Sequence, residues 1–555
     1  MRDQRLTLAL VFLTAASVSS GWAEHGFAVE IGSNETVIGR VGAGFMGLQY
    51  NGPTHLALDP DTGQLAEFPS SYAHLPARAS LQQAGVETVR LFLDAPTVNP
   101  SPGVFDWADT DTAISEIEAS GMAPMLVLHQ RDGEWFVGDA QQPWWNLPTG
   151  RSGWIDFATA VADRYGDRAP YFEILNEPNH IHPTRDSYMG FDLSADLFLD
   201  AATAIHSSAP EAKVGGPASF GSWEPYTWAK RVLGHANGEA QLDFVSYHVY
   251  GTESAAATDQ AIWDRARWYE TVPQDIRAEL DAVTNKPIEL ALTEFNASAV
   301  FQLNGELYTD PRNVDTFGGL YAALGWLYSV RGGADTAYRF GTTGGFGLIQ
   351  WAPDYELRPA YHAVRLLHEV AGLAPGTELL ETTLGEAVEG LEAFTIQLDG
   401  QQSTVLINTN ANGTIGVDLA TDSGPLNLYR YDANRHTEAL TVLHQTVPQN
   451  GVASINVPAR SLVVLRAAPT PGDFNNDGVV DSSDYNLWVT QFGQIGAGLS
   501  ADGNQDGLVD AADYTLWRDN RSPQATLVPE PSALLLAALI ITRAPRRRPA
   551  ARRRP

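Results

Sequence analysis

Two glutamates in separate motifs have the chemistry needed for acid–base catalysis. Glu177 ends the segment Tyr-Phe-Glu-Ile-Leu-Asn-Glu, at residues 171–177, and Pro-Asn follows it. Glu294 ends the run Ile-Glu-Leu-Ala-Leu-Thr-Glu, at residues 288–294. Cleavage of a glycosidic bond with retention of configuration needs two carboxyl groups about 5–5.5 Å apart, one protonated and one ionised. The pair therefore predicts glycoside hydrolysis if the fold brings the two side chains together, whereas either glutamate alone could be an ordinary loop carboxylate.

Eight short apolar runs alternate with helix-like segments between about Val37 and Gly372. Near-continuous apolar runs are typical of parallel strands that helices cover from outside. The predicted strands are Val41–Gln49, Thr88–Asp94, Pro124–Gln130, Tyr171–Asn176, Lys213–Ala218, Phe244–Tyr250, Ile288–Phe295 and Thr336–Phe340. The predicted helices include Thr110–Gly121, Trp154–Gly166, Ala195–Ser208, Thr316–Arg331 and Pro359–Val370.

These eight units predict the α/β class and a (β/α)8 TIM barrel over residues 24–377, with its active site at the C-terminal ends of the strands. A doubly wound open sheet is the alternative, but no glycine-rich nucleotide loop follows an early strand. On the barrel, Glu177 falls at the end of the fourth strand and Glu294 at the end of the seventh. Strand ends around one barrel mouth can hold two carboxyl groups rigidly at the separation that retention requires.

This arrangement resembles the clan-A glycoside hydrolases, in which an Asn-Glu-Pro motif follows the fourth strand. The resemblance covers roughly Val37 to Ala467. It implies that Glu177 is the acid/base and Glu294 the nucleophile, and that Asn176 binds the 2-hydroxyl of the sugar.

Three further positions match the clan's pattern. The sixth strand ends Ser-Tyr-His-Val-Tyr at residues 246–250, and Arg90 lies near the end of the second strand. The resemblance implies that His248 lines the sugar subsite, Tyr250 hydrogen-bonds the nucleophile and Arg90 keeps that carboxylate ionised. His248 could instead be a core histidine, and Arg90 could belong to a structural ion pair. Glu173 and Glu289 remain without an assigned role.

The sequence Glu-Ile-x-Asn-Glu-Pro-Asn is similar to family 39, the group of β-xylosidases and α-iduronidases, and families 5, 30, 51 and 79 have similar motifs. Leu175 stands where family 39 usually has tryptophan. Sugar rings have apolar C–H faces that aromatic rings suit. Trp144 and Trp145, after the third strand, are the first choice for such a platform, although tryptophan is equally common in barrel cores.

After the last barrel helix the hydrophobic period changes to two. Residues 394–398 alternate, and residues 404–408 and 461–465 also have strand character. Turn residues separate these runs, which predicts a small antiparallel β-sandwich over residues 378–467. Because it begins directly after the barrel, we expect it to pack against the barrel.

A repeat of 29 residues follows a short linker at residues 468–472. Each copy has oxygen side chains at positions 1, 3, 5, 9 and 12, a glycine at position 6 and a main-chain carbonyl at position 7, a spacing that encloses Ca²⁺ in EF-hand loops. The predicted ligands are Asp473, Asn475, Asp477, Val479, Asp481 and Asp484, then Asp502, Asn504, Asp506, Leu508, Asp510 and Asp513. Aspartate at position 12, where EF-hands have glutamate, resembles dockerin modules. The resemblance implies an EF-hand-type helical module over residues 473–522 and a cohesin-type partner, the alternative being an acidic linker.

Both ends of the chain have features of export signals. A basic start, the apolar run Leu6–Val18 and small residues before Ala23 predict a signal peptide over residues 1–23, since the run is shorter than the roughly 20 residues that span a membrane. In the tail, residues 523–555, Pro-Glu-Pro precedes an apolar run and an arginine cluster. This order resembles the PEP-CTERM sorting signal, which implies a sorting protease at the membrane. A disordered basic tail is the alternative.

The composition is consistent with an exported enzyme that acts on a neutral polymer. The formal net charge of −31 disfavours binding to nucleic acid, and the absence of cysteine excludes disulfides and thiolate chemistry. We expect an extracellular or cell-surface retaining β-glycosidase that cleaves a plant- or algal-type polysaccharide or oligosaccharide. We expect it to need no cofactor for catalysis and calcium only in the appended module. The alternative is a catalytically silent carbohydrate-binding protein on the same barrel.

Overall fold

The computed structural model describes residues 29–50, 54–58, 65–69, 75–130, 144–146, 148–179, 189–221, 225–300, 302–303, 306–350, 354–475, 479–496, 499–504 and 506–521. The predicted signal peptide, the PEP-CTERM-like tail and the predicted ligand Asp477 lie outside these residues. Within them, no helix has both the length and the apolar composition that crossing a bilayer requires.

Strands and helices follow one another along the whole described chain. The strands are β1 (Val29–Arg40), β2 (Met46–Gln49), β3 (Thr54–Leu58), β4 (Leu65–Pro69), β5 (Thr88–Asp94), β6 (Ala123–His129), β7 (Tyr171–Ile174), β8 (Lys213–Phe220), β9 (Phe244–Tyr250), β10 (Glu289–Asn296), β11 (Gln302–Leu303), β12 (Glu306–Leu307), β13 (Thr336–Arg339), β14 (Glu378–Leu384), β15 (Leu391–Leu398), β16 (Gln401–Asn408), β17 (Ile415–Ala420), β18 (Leu426–Tyr431), β19 (His444–Thr446), β20 (Val452–Val457) and β21 (Ser461–Ala467). The α-helices are α1 (Leu75–Gln83), α2 (Ala95–Val98), α3 (Ala108–Ala119), α4 (Pro148–Tyr165), α5 (Phe191–Ser208), α6 (Pro225–Leu233), α7 (Gly238–Gln241), α8 (Asp259–Ala266), α9 (Trp268–Asp281), α10 (Pro311–Val314), α11 (Thr316–Gly332), α12 (Pro359–Leu366), α13 (Ser482–Gln491) and α14 (Ala511–Asn520).

Eight parallel strands close into a barrel in the order β2, β5, β6, β7, β8, β9, β10 and β13. The predicted TIM-type barrel is therefore confirmed, and β5 and β9 agree with the prediction at both ends. The first barrel strand begins at Met46 rather than Val41, because a turn with Gly44 at φ 77° precedes it. Gly44 also donates its amide to the Glu87 carboxylate (2.6 Å), which fixes this turn below the barrel.

The interior of the barrel changes character along its strands. Side chains that point outward pack under the helices, and those that point inward near the N-terminal ends form a small apolar cluster. That cluster comprises Met125, Phe244, Ala291 and Tyr338. Nearer the C-terminal ends the inward positions are polar: Glu173 follows Tyr171 by two residues on β7, and His248 follows Phe244 by four on β9. The apolar cluster thus supports a polar layer that opens at the mouth.

A second sheet forms the β domain, made of residues 29–40 and 378–467. Its nine strands run in the order β19, β18, β21, β16, β15, β14, β1, β17 and β20, and β1 and β17 pair in parallel. The two halves of the sheet share one core, which includes Val417, Leu406 and Val463. The opposite side of the sheet packs against the barrel, as expected, with Phe394 and Leu462 in the barrel's core cluster.

One predicted domain boundary is wrong. The sequence predicts a barrel that starts at residue 24, but β1 pairs with β14 and β17 of the β domain. Val29 and Ile31 are buried in that domain's core, which explains why the strand lies there. The chain therefore contributes one strand to the β domain before it builds the barrel.

The last described unit, residues 473–521, is a pair of helices with matching starts. In α13 and α14 the N-cap aspartates, Asp481 and Asp510, form capping boxes with the aspartates three residues later. Trp488 donates its indole N–H to the carbonyl of Asp510 (2.8 Å), and Trp517 donates to the carbonyl of Asp481 (2.5 Å). Each copy of the repeat therefore stabilises the loop of the other.

Candidate active site

Arg90 lies at the centre of the polar layer and is completely buried. Its Nε donates to Glu173 (2.6 Å), its Nη1 to Glu294 (2.6 Å) and to Gln49 (3.0 Å), and its Nη2 to Asn176 (2.7 Å). Burial disfavours the charged guanidinium, but the carboxylates of Glu173 and Glu294 outweigh it and raise the pKa of Arg90. The planar guanidinium group thus holds four side chains, from β2, β7, the turn after β7 and β10, in one fixed geometry.

Glu294 receives a donor on each carboxylate oxygen. Arg90 donates to Oε1, and the hydroxyl of Tyr250 donates to Oε2 (2.7 Å). Burial, and after it the charge of Glu294, raises the pKa of Tyr250 well above its usual value, so the hydroxyl keeps its proton and remains a donor. Only 7% of the Glu294 side chain is exposed. Two hydrogen bonds thus fix the orientation of this carboxylate, as a nucleophile that attacks a bound substrate requires.

A bulge in β10 directs Glu294 into the barrel. Ala291 points inward, so regular alternation would direct Glu294 outward. The register between β9 and β10 shifts between Leu292 and Glu294, so that Glu294 pairs with His248. The extra residue reverses the alternation, and bulges of this kind are frequent beside active sites.

Glu177 lies on a strained turn after β7. Leu175 and Glu177 have φ angles of 71° and 47°, a region that costs non-glycine residues about 1–3 kcal/mol each. The side chain of Gln130 holds the turn, because it accepts from the amide of Asn176 (2.7 Å) and donates to its carbonyl (2.7 Å). This backbone conformation brings Asn176 within hydrogen-bonding distance of Arg90. It also places Glu177 at the mouth of the barrel, where 12% of the Glu177 side chain is exposed.

His248 lies between the two glutamates. Its Nδ1 is 2.8 Å from Glu177 Oε1 and 3.5 Å from Glu294 Oε2. Burial lowers the pKa of His248 to about 4, so the imidazole is neutral at ordinary pH. One oxygen of each glutamate and this nitrogen all lie within 4.8 Å of one another. This separation of the carboxylates is consistent with the spacing of retaining glycosidases.

The same three atoms are close enough to hold a metal ion, and within the described ranges no other cluster of His, Asp and Glu donors is as tight. Their surroundings favour a hydrolytic pair instead. The Arg90 cation already occupies one oxygen of Glu294 at 2.6 Å and would repel a second cation beside it.

The structure therefore brings together six residues singled out by the sequence: Arg90, Asn176, Glu177, His248, Tyr250 and Glu294. It also places Glu173, Gln49 and Gln130 in the site, to which the sequence assigned no role. A glutamate inside an apolar strand was the available signal for Glu173. Gln49 and Gln130 carried no such signal, because a glutamine at the end of a strand is common and does not by itself indicate a functional site.

The prediction of a sugar platform at Trp144 and Trp145 is wrong. The two residues are 0% and 3% exposed. Their rings contact each other edge-on, with centroids 5.4 Å apart, and Trp144 packs at 5.4 Å against Trp154 of α4. They are core residues, and neither offers a ring face to a sugar.

The described members of the predicted calcium-ligand set lie before α13 and α14 and at the starts of these two helices. Asp484 and Asp513, at position 12, are fully buried and accept backbone amides, Asp484 from Asp481 (2.8 Å) and Asp513 from Asp510 (2.8 Å). The side chains of Asp481 and Asp510 accept amides of the helices that they cap. All the predicted donors are oxygen atoms, which a hard cation prefers. The aspartates at positions 9 and 12 also use side-chain oxygens to accept backbone amides of their own loops and helices.

Comparison with known proteins agrees with the site. The model of Glycosyl hydrolases family 39 matches residues 104–306, a range that includes both glutamates. None of the curated proteins matches the chain in sequence. The family 39 enzyme of Xanthomonas axonopodis pv. citri is similar in structure, with 18% identity, a TM-score of 0.54 and coverage of 80% of this chain and 97% of its own. A monomeric β-xylosidase of Caulobacter crescentus has 16% identity and a TM-score of 0.53, covering 80% and 99%.

A family 30 endoxylanase of Clostridium papyrosolvens has 14% identity and a TM-score of 0.53, covering 79% of this chain and all of its own. At these identities the structural likeness shows a shared fold, the barrel with its β domain. The family match covers residues 104–306, and this range contains the strands that carry the paired glutamates. The family match and the paired glutamates at the barrel mouth together indicate a glycosidase.

Proposed function

We propose that the chain is a retaining β-glycosidase in which Glu294 is the nucleophile and Glu177 the acid/base. The observation that carries the proposal is the difference between the surroundings of the two carboxylates. Glu294 is bonded to a buried cation and a tyrosine hydroxyl, which stabilise an anion. Glu177 faces a neutral imidazole, which suits a group that must hold and release a proton.

In the first step, Glu294 attacks the anomeric carbon and the bond to the leaving oxygen breaks. Glu177 gives its proton to that oxygen, and the sugar is left bonded to Glu294. In the second step, Glu177 takes a proton from water, the water oxygen attacks the anomeric carbon, and the bond to Glu294 breaks. Two inversions at one carbon give net retention.

His248 supports the change of role of Glu177. When Glu177 is ionised, a proton on Nδ1 of His248 can be donated to it; when Glu177 is protonated, Nδ1 can accept. Within the described residues Nε2 has no hydrogen-bond partner, so neither tautomer is fixed from that side.

The substrate that we propose is a plant- or algal-type polysaccharide or oligosaccharide. The support for pentose-containing polymers is that two structural neighbours are named as an endoxylanase and a β-xylosidase. Release of reducing sugar from xylan, arabinan and glucan panels tests this choice. A protein that binds these polymers and releases no sugar would favour the catalytically silent alternative.

The mechanism is tested by the anomer released first, measured by proton NMR on an aryl β-glycoside. We expect the β anomer before mutarotation, and an α anomer would refute retention.

Glu294→Gln should lose about 10⁴-fold or more in rate, because the attacking atom is gone. Glu289→Gln is the matched control: the same substitution on the same strand, at a glutamate bonded to Lys213 and Tyr171. It should keep a rate within a few-fold of wild type.

We further propose that the chain is exported, that its tail is removed by a sorting protease at the membrane, and that the module at residues 473–522 binds calcium and a cohesin-type partner. The all-oxygen donor set of the repeat supports the calcium proposal. Limited proteolysis of the full-length protein with calcium and with chelator tests it. Chelation should expose the module to cleavage while glycosidase activity stays unchanged. Equal protection in both conditions would refute calcium binding.

A further inference from the structure

Glu173 is a buried carboxylate in the polar layer and has no role in the mechanism above. It lies on β7, and it is 0% exposed, so a sugar in the barrel mouth cannot reach it. Its Oε2 accepts from Nε of Arg90 (2.6 Å), while Nη1 of the same guanidinium donates to Glu294 (2.6 Å). One cation therefore joins two carboxylates, of which Glu294 is open to the cleft and Glu173 is not.

The two carboxylates are the charge partners of Arg90. Burial lowers the pKa of Arg90, and the charges of Glu173 and then Glu294 more than offset this effect. The other acceptors of the guanidinium among the described residues, Gln49 and Asn176, are neutral amides. A fully buried guanidinium is strongly unfavourable unless an anion compensates its charge. Arg90 therefore needs at least one of the two glutamates in its ionised form.

The reaction removes one of these two anions. In the proposed first step an oxygen of Glu294 bonds to the anomeric carbon, and the bond to the leaving oxygen, which takes the proton of Glu177, breaks. The Glu294 carboxylate becomes a neutral ester, and the sugar carries positive charge in the transition state. Without a second anion, Arg90 would then be a buried cation with no counter-charge, close to a cationic sugar.

We propose that Glu173 is the counter-ion that keeps Arg90 compensated while Glu294 is bonded to the sugar, and that it thereby lowers the barriers of both steps. It is a positioning residue, because it acts through Arg90 and does not touch the substrate. Its bond to Nε also fixes the plane of the guanidinium, whose Nη1 and Nη2 are directed at Glu294 and Asn176. The proposal rests on the proposed function and adds a residue to its mechanism.

The other titratable groups that face this cluster are neutral near pH 7. Tyr338 of β13 faces Glu173, and Tyr250 of β9 faces the nucleophile; burial raises both pKa values, so both hydroxyls keep their protons. Burial lowers the pKa of His248 to about 4, so the imidazole is uncharged. Glu177 holds a proton in the resting enzyme of the proposed mechanism. Replacement of Glu173 by a neutral residue of the same shape therefore changes one charge in the cluster.

The test is Glu173→Gln, whose amide oxygen can still accept from Nε of Arg90 but which carries no charge. On an aryl β-glycoside we expect kcat to fall about 10- to 100-fold with KM within about threefold, because Arg90 is still compensated in the substrate complex and loses its anion only later. The acidic limb of the kcat/KM profile reports ionisation of the nucleophile. It should move to lower pH by about one unit, because a like charge has been removed.

Two further variants separate charge from shape. Glu173→Asp keeps the charge on a shorter side chain, so its acidic limb should stay at the wild-type pH even if kcat falls. This variant carries the test if thermal unfolding shows that Glu173→Gln is not folded. Glu289→Gln is the control, since it removes one negative charge at the opposite end of the barrel, from a glutamate bonded to Lys213. It should keep the wild-type kcat and acidic limb.

Three results would overturn the proposal: a folded Glu173→Gln variant with wild-type kcat and an unmoved acidic limb, a loss confined to KM, or an acidic limb in Glu173→Asp that moves down by one unit. The same shift in Glu289→Gln would show a general effect of net charge and would also overturn it. A wild type that releases no sugar from any glycoside or polymer would instead overturn the proposed function, and the role of Glu173 with it.

Discussion

Removal of the Tyr250 hydroxyl isolates one of the two bonds that hold Glu294. Tyr250→Phe deletes the donor 2.7 Å from Oε2 and leaves Arg90 on Oε1. A hydrogen bond to a charged group contributes about 1.5–3 kcal/mol. If that contribution is lost in the transition state, kcat/KM falls by about 10- to 150-fold, since each 1.36 kcal/mol is a factor of ten.

The assay is kcat/KM on an aryl β-glycoside between pH 5 and pH 9. The raised pKa of Tyr250 keeps its hydroxyl protonated across this range, so the ratio of wild type to variant should be constant with pH. The matched control is Tyr247→Phe on the same strand, at a buried tyrosine whose hydroxyl has no hydrogen-bond partner within the described residues. Its removal breaks no bond, and activity should stay within twofold of wild type. A Tyr250→Phe variant within threefold of wild type, or a control that loses as much, would refute the assignment.

Two other predictions concern stability. Burial lowers the pKa of His248 from 6.5 to about 4. Between these two pH values the unfolded chain binds a proton that the folded chain does not bind. The free energy of unfolding therefore decreases as the pH falls, by about 3 kcal/mol at pH 4. Urea unfolding at pH 7 and pH 4 should show a smaller loss in His248→Gln, and equal losses would contradict the buried neutral ring. Trp144→Ala should cost about 3–5 kcal/mol in unfolding free energy, the range for a fully buried large side chain, with KM for glycosides unchanged. A raised KM at unchanged stability would restore Trp144 as a sugar contact.

The barrel could be predicted from the sequence because its signals are local. Each strand is a short apolar run, and the two catalytic motifs end two of those runs. The inward direction of Glu294 is less accessible, since it depends on a bulge that only the pairing with β9 reveals. Strict alternation from Ala291 would have placed the side chain outside.

Non-local packing explains the errors. The strand β1 pairs with β14 and β17, which lie roughly 340 to 390 residues later in the chain, and no local pattern records such a pairing. Trp144 and Trp145 follow a barrel strand, as a sugar platform would. Only their burial, and the contact of Trp144 with Trp154 of α4, show them to be core residues. The binding of Arg90 to Glu173 likewise joins two strands whose separation in sequence hides the contact.

The central claim is the division of labour between Glu177 and Glu294, and kinetics on an activated aryl β-glycoside in the presence of azide tests it most directly. Glu177→Ala removes only proton delivery, so a leaving group that needs no proton should still depart and a glycosyl-enzyme should accumulate as a burst. Azide, small enough to occupy the space of the lost carboxylate, should restore turnover and yield the β-glycosyl azide. Glu294→Ala should show no burst and no β-azide product. The opposite pattern would reverse the two roles, and wild-type rates in both variants would place the active site elsewhere.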